Sequence, residues 1–289
     1  SDLLELIVSN TTEAGIAYDP AATLEVVPAA SFPGKLTQFL LERFRQFGGA
    51  VDKGLVILPC ELIDHNGDKL REIVHRHAQE WALGDRFLDW LDTACVFLNS
   101  LVDRIVTGHP KGELSAIEAQ YGIQDPFLVT AEPFLFWVIE GPVALAERFP
   151  FHKAGLQVIW TDDMTPYRDR KVRILNGAHT SLFAASFLSG VETVGESLAD
   201  PDLRRFLQTA LFFEIMPTLD LPEAELTSFS ASVLERFANP FIRHEWLSIA
   251  LNAVSKWKTR VLPSLQVNLE RKGSLPACLS FSLAALLVF

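Results

Sequence analysis

The chain has 289 residues, 49% hydrophobic and 21% charged, a globular composition long enough for two domains and a sizeable core. Its 25 basic and 36 acidic residues leave a net charge of −11, which excludes a general nucleic-acid binder or a protein held to anionic membranes by charge. A local basic pocket for a small anion is compatible with that balance.

The chain opens without the basic segment of a secretory signal. Leu4 to Val8 is a short apolar run, as in a buried parallel strand. The polar stretch Ser9 to Gly15 follows it. In an open α/β sheet, ligands sit beyond the carboxyl ends of strands, so Asn10, Thr11 and Glu13 are placed either to touch a cofactor or to form a ligand-free Asx/Ser-Thr turn. A helical pattern runs from Leu36 to Phe47. A second buried strand covers Gly54 to Cys60, and a helix starts near Asp68 and runs to Trp81. Strand, helix, strand, helix in this order predicts a parallel α/β arrangement. His75 and His77 stand one residue apart with no further ligands nearby, so no metal site is expected there.

Asp85 to Leu91 reads as a short helix, and Cys95 to Val106 as a strand with its loop. Within it, Asp103-Arg104 suggests a paired buried charge, structural or catalytic, because an isolated one is costly. Phe134 to Ile139 and Gly155 to Trp160 are aromatic and β-branched and predict two strands of a sheet extension. From about Thr161 the pattern becomes helical: 166–189, 191–199, 201–217, 222–237, 240–262 and 275–289. We take the change as a domain boundary, giving domains 1–162 and 163–289. The apolar end, Leu275 to Phe289, is too short for a membrane span and contains Pro276, Ser280 and Ser282, so a buried helix is expected. Cys60, Cys95 and Cys278 form no paired framework, as for structural thiols in a reducing cytoplasm. The first residues lie on a strand edge and the last inside a helix, so both ends are expected to be cuts through a longer protein.

The stretch Lys171 to His179 concentrates chemistry. Asp162 and Asp163 lie upstream of a helix opened by Thr165-Pro166. At about 100° per residue, Asn176 falls roughly 140° and His179 roughly 80° round from Lys171, so the three fit one broad face. An amine, an amide and an imidazole on one face suit chemistry at a carbonyl; an ordinary amphipathic helix gives the same spacing.

Several motifs occur in register: Ile7-Val-Ser-Asn-Thr-Thr-Glu-Ala-Gly15, Pro59-Cys-Glu-Leu-Ile-Asp-His-Asn-Gly67, Ser100-Leu-Val-Asp-Arg-Ile105, and Lys171 with Asn176 and His179. Together with Arg236-Phe-Ala-Asn-Pro240 and Ile249-Ala-Leu-Asn252 they resemble the long-chain mannitol dehydrogenase family, most nearly its tagaturonate reductase branch, over essentially the whole chain. The resemblance implies a Rossmann-type α/β domain with a sheet extension, here without its first βαβ unit, then a mainly α-helical domain, with the active site between them. It implies a metal-independent, NAD-dependent oxidoreductase that interconverts tagaturonate and altronate in hexuronate breakdown. It assigns Lys171 as general acid/base, Asn176 as amide donor to the reacting oxygen, and His179 as ligand of a substrate hydroxyl. Lys256 becomes a substrate-binding cation facing the uronate carboxylate, Asp103 a substrate-side group, and Asn10, Thr11 and Glu13 the cofactor-side loop.

Departures from the family pattern are Leu62, where mannitol dehydrogenases carry a second oxyanion-binding Asn, so that either Asn66 or another group substitutes or the donor is absent, Arg168 in place of a Glu, and Ser248 in place of an Arg. They favour an acidic sugar over mannitol. The alternatives are a fructuronate reductase or mannitol-type polyol dehydrogenase, and a non-catalytic sugar-acid binding module. No nucleic acid or membrane partner is expected, and the oligomeric state is open.

Overall fold

The computed structural model describes residues 1–12, 14–110, 112–240 and 243–289, in two units, Ser1–Met164 and Thr165–Phe289. In the first unit the elements are β1 (Leu6–Ser9), α1 (Phe32–Gln46), β2 (Val56–Pro59), α2 (Asn66–Glu80), α3 (Asp85–Ala94), β3 (Val96–Phe97), β4 (Asn99–Asp103), β5 (Val106–Gly108), α4 (Leu114–Tyr121), β6 (Thr130–Ala131), β7 (Phe136–Glu140), α5 (Leu145–Arg148) and β8 (Val158–Thr161). Strands β1, β2 and β3 form a parallel sheet in that order, as the alternation of strands and helices predicts. The extension is a second sheet: β4 pairs antiparallel with β7, and β7 parallel with β8. The pair β5–β6 was not foreseen.

Strand β2 is buried at every position, which is why it reads as an unbroken apolar run. Ile57 packs into one core with Leu40, Leu70, Val74, Phe87 and Leu91 from the helices. Val56 and Leu58 face the other way, into a core with Leu98, Ile139 and Val158. The long connection from β1 to α1 is pinned from below: the Gln38 amide accepts from Ala29 N at 2.9 Å and donates to Val26 O at 2.7 Å, and Trp81 Nε1 donates to Ala22 O at 3.1 Å.

The junction of β2, α2 and β4 is built on two buried amides. Asn66 is fully buried; its Nδ2 donates to the carbonyls of Pro59, Glu61 and Ser100, and its Oδ1 accepts from Gly67 N and Ser100 N. Asn99 Oδ1 accepts from Gly67 N and Asp68 N, closing the first turn of α2, where backbone N–H groups have no helical partner. Position 67 must be Gly, because a Cβ there would lie 2.2 Å from Leu98 O.

Two expectations are corrected here. Asn66 does not replace the missing oxyanion donor, because both its polar atoms are consumed by backbone, and Leu62 is exposed. Asp103 and Arg104 are not a buried pair: Asp103 is buried, but Arg104 is exposed and donates to Glu132 O.

The second unit contains α6 (Thr165–Arg170), α7 (Gly177–Leu188), α8 (Val194–Ala199), α9 (Pro201–Thr209), α10 (Glu223–Phe237), α11 (Trp246–Ala250), α12 (Ala253–Arg260), α13 (Leu262–Lys272) and α14 (Ala277–Val288). Helix α7 is central; α9, α11, α12 and α14 all pack on it, so it is apolar nearly all round. The expected single helix 240–262 is broken. Asn252 takes a left-handed conformation (φ 58°) ahead of α12, and Pro263, whose missing N–H suits only a first turn, opens the unforeseen α13. Two stretches expected to be ordinary α-helix, Lys171–Asn176 and Ala210–Ile215, are π turns. Within the second, buried Glu214 accepts from Cys278 N and Leu279 N at 2.9 Å each and so caps α14.

Replacing Asn66 with Ala orphans several buried backbone groups at once. We expect a loss of about 3 kcal/mol or more, measured by urea unfolding; a loss below about 1 kcal/mol contradicts the structural role.

Candidate functional site

The chemistry-bearing stretch of the second unit lies on a widened turn. The Gly177 N–H reaches back five residues to the Val172 carbonyl, the spacing of a π turn. The α-helical wheel drawn from Lys171 therefore does not apply through Asn176. Lys171 opens the turn and Asn176 closes it; both are half-buried, and the Asn176 side-chain amide makes no hydrogen bond with a described residue. Ile174 and Leu175 between them are buried and anchor the turn. Neither neighbouring arginine is simply solvated. Arg170 is buried, with Phe229 under its guanidinium at 4.6 Å and Glu225 at 3.4 Å; Arg173 Nη1 lies 3.5 Å from Thr218 Oγ1.

His179 follows one turn later, its ring 3.9 Å from that of Phe237 and 5.1 Å from that of His244. Nε2 is out of solvent and has no hydrogen-bond partner among the described residues. Burial, then the charges of His244, Arg260 and Arg236, holds the imidazole well below its ordinary value of 6.5, against a raising effect from Leu175. Lys256 Nζ donates to Ile249 O at 2.9 Å, and burial and then Arg260 lower it from its ordinary range. Arg260 Nη1 lies 3.5 Å from Thr180 Oγ1, next to His179. Lys256, Arg260 and His179 are thus gathered on α12 and the start of α7.

In the first unit the loop after β1 is held by a buried carboxylate. Glu61 Oε2 accepts from Ser9 Oγ at 3.0 Å, and Oε1 accepts from Thr11 N at 3.0 Å and Thr11 Oγ1 at 2.8 Å. Asn10 and Thr11 therefore stand at the carboxyl end of the parallel sheet, Asn10 exposed. Glu13 lies outside the described residues. Asp103 is buried at the end of β4. Burial pushes the thiols of Cys60, Cys95 and Cys278 up to about 11, so none is a thiolate nucleophile at neutral pH. No helix among the described residues is long and apolar enough to cross a membrane.

Residues 2–153 match the mannitol dehydrogenase Rossmann domain, and residues 163–289 match the mannitol dehydrogenase C-terminal domain. The chain belongs to the mannitol dehydrogenase family. It is similar to the altronate oxidoreductases of Escherichia coli (strain SE11) and Shigella flexneri, each 51% identical over 286 residues, 99% of this chain and 59% of the relative. Among solved structures it is similar to D-sorbitol dehydrogenase in substrate-free form, with TM-score 0.82 and 24% identity over 99% of this chain and 60% of that one. It is also similar to Pseudomonas fluorescens mannitol 2-dehydrogenase in a ternary complex with NAD and D-mannitol, with TM-score 0.63 and 22% identity over 100% of this chain and 59% of that one. At these identities the structural likeness establishes the fold alone. The chain spans 59% of the length of the curated relatives it matches.

Family motifs do not by themselves reveal Glu61 as the clamp of the loop after β1, nor Arg260, His244 and Arg236 around His179. A carboxylate directly after a buried strand was a signal for the first, and the i, i+4 spacing from Lys256 to Arg260 for the second. The others meet only in three dimensions.

His179 resists a proton when folded and titrates near its ordinary value when unfolded. Its contribution to stability is therefore complete above about pH 6.5 and is lost as pH falls below that, where the unfolded chain takes up the proton first. We expect Tm to fall on acidification from about pH 7.5 to about pH 5, and to fall less in His179→Asn. Equal slopes for the two proteins in calorimetric scans contradict this.

Proposed function

We propose that this chain carries the proton-transfer and substrate-binding part of a cytoplasmic NAD-dependent oxidoreductase that interconverts tagaturonate and altronate, a step in hexuronate breakdown. The observation that carries this reading is the π turn Lys171–Asn176 with His179 beyond it. An amine, an amide without a partner among the described residues and a buried imidazole, held neutral by its burial and with Nε2 unpartnered among the described residues, sit on one short stretch. The similarity to altronate oxidoreductases supports the choice of sugar acid.

A dinucleotide suits the residues present in the first unit: parallel strands end at a polar loop whose conformation is held by the Glu61 carboxylate, with Asn10 open to a ligand. Asn10 and Thr11, together with Glu13, are the cofactor-side residues of this proposal. NAD(H), when bound, supplies or accepts the hydride. Every proton is handled by the chain. In reduction the Lys171 ammonium protonates the developing alkoxide, while the Asn176 amide donates a hydrogen bond to the same oxygen. In oxidation the neutral Lys171 amine takes the hydroxyl proton. Neutral His179 accepts from a neighbouring substrate hydroxyl at Nε2, which fixes the carbon presented to Lys171. Lys256 supplies a substrate-side cation, and Asp103 is assigned to the substrate side.

The intact protein should oxidise NADH with tagaturonate in preference to fructuronate or fructose, followed by loss of NADH absorbance. Lys171→Ala should lower kcat by about 10³-fold while NADH affinity is retained. Undiminished turnover in that variant removes Lys171 from the mechanism. A preference for fructuronate or fructose changes the substrate, and a protein that binds sugar acids without turnover is a binding module.

A further inference from the structure

The exposed arginines of this chain are mostly satisfied. Arg45, Arg71, Arg76, Arg148, Arg205 and Arg243 each have a carboxylate partner, although pairing is worth least at the surface. Arg260 reverses this pattern. It is half-buried, and no described carboxylate lies within 4.0 Å of its guanidinium or of the neighbouring Lys256 ammonium. Its hydrogen bond within the chain is the 3.5 Å contact to Thr180 Oγ1. That hydroxyl donates its own proton to Asn176 O at 2.8 Å, so it meets Arg260 with a lone pair. The guanidinium is thereby held against the start of α7, which carries His179 directly after the turn that ends at Asn176.

The approach is close because residue 177 has no side chain; a Cβ there would lie 3.2 Å from Arg260 O. Lys256 stands one helical turn before Arg260 on the same face of α12. Half-buried cations with no internal counter-charge are costly, and an anionic ligand offsets that cost. A planar guanidinium takes a carboxylate through two parallel hydrogen bonds, which an ammonium cannot do.

We propose that Arg260 receives the carboxylate of the sugar-acid substrate and is the residue that selects the acid over the corresponding uncharged sugar. This rests on the function proposed above and adds its specificity determinant. Burial keeps Arg260 and Lys256 below their ordinary ranges, and Arg260 contributes to the lowering of Lys256, as expected for two cations sharing a site without an acid between them.

The test compares kcat/KM for tagaturonate and for fructose in the intact protein, in wild type, Arg260→Met, Arg260→Lys and Lys258→Met. Lys258 is exposed on the same helix and controls for the loss of one positive charge. The tagaturonate-to-fructose ratio should fall about 100-fold in Arg260→Met, chiefly through KM, recover in part in Arg260→Lys, and hold in Lys258→Met. An unchanged ratio, or an equal loss on both substrates, overturns the proposal. If Arg260→Met fails to fold by circular dichroism, Arg260→Lys carries the test: its ratio should fall about tenfold, and an unaltered ratio overturns the proposal. Calorimetric binding of altronate against an uncharged hexitol needs no turnover and separates the two readings. Acid-selective binding that depends on Arg260, in a protein that reduces neither tagaturonate nor fructose, refutes the function proposed above and leaves this assignment standing. Binding of the acid no tighter than the hexitol overturns this assignment.

Discussion

The Gly177 N–H bonds to a carbonyl five residues back, and the character of the stretch from Lys171 to His179 depends on that widened turn. An α-helix buries its polar backbone in a uniform ladder and leaves side chains to a fixed wheel. A π turn inserts one residue and shifts the following side chains round the axis. It persists here because both sides are determined by packing. Ile174 and Leu175 are locked in the core, and the missing side chain at Gly177 lets the end of α12 come close enough for Arg260 to reach Thr180. One backbone irregularity thus arranges amine, amide, imidazole and guanidinium.

The first unit uses a different device, buried polar side chains that serve the backbone. Asn66, Asn99 and Glu61 each close gaps that helices and strands leave open at the carboxyl edge of the sheet. Asn99 Nδ2 also donates to Glu140, whose other oxygen accepts from Met164 N at the end of the unit. Such groups are costly to bury and are tolerated only when fully satisfied. A satisfied amide has no capacity left for substrate, which is why Asn66 belongs to the scaffold.

Charge is divided in the same economical way. The chain carries a net −11, yet the side chains that add to burial in lowering His179 are His244, Arg260 and Arg236, all cationic or imidazole. Burial keeps His179 and His244 neutral, so the region combines fixed positive charge with neutral acceptors. An acidic protein can in this way hold one small, locally positive surface without becoming a general binder of polyanions.

Much of this was readable in the residues alone. Apolar runs such as Leu55 to Leu58 determine buried parallel strands, because a strand covered on both faces has no polar alternation. The change near Thr161 from β-branched to helical periodicity, and the family's spacing of Lys171, Asn176 and His179, are also local patterns. Other features were decided only by tertiary packing. The π turns, the break at Asn252, the burial of Asn66 among three carbonyls and the gathering of Arg260, Arg236 and His244 about His179 depend on segments far apart in the chain. Periodicity reports which face a residue presents to an average core. Hydrogen-bond satisfaction and desolvation depend on particular partners, and those are settled by the fold.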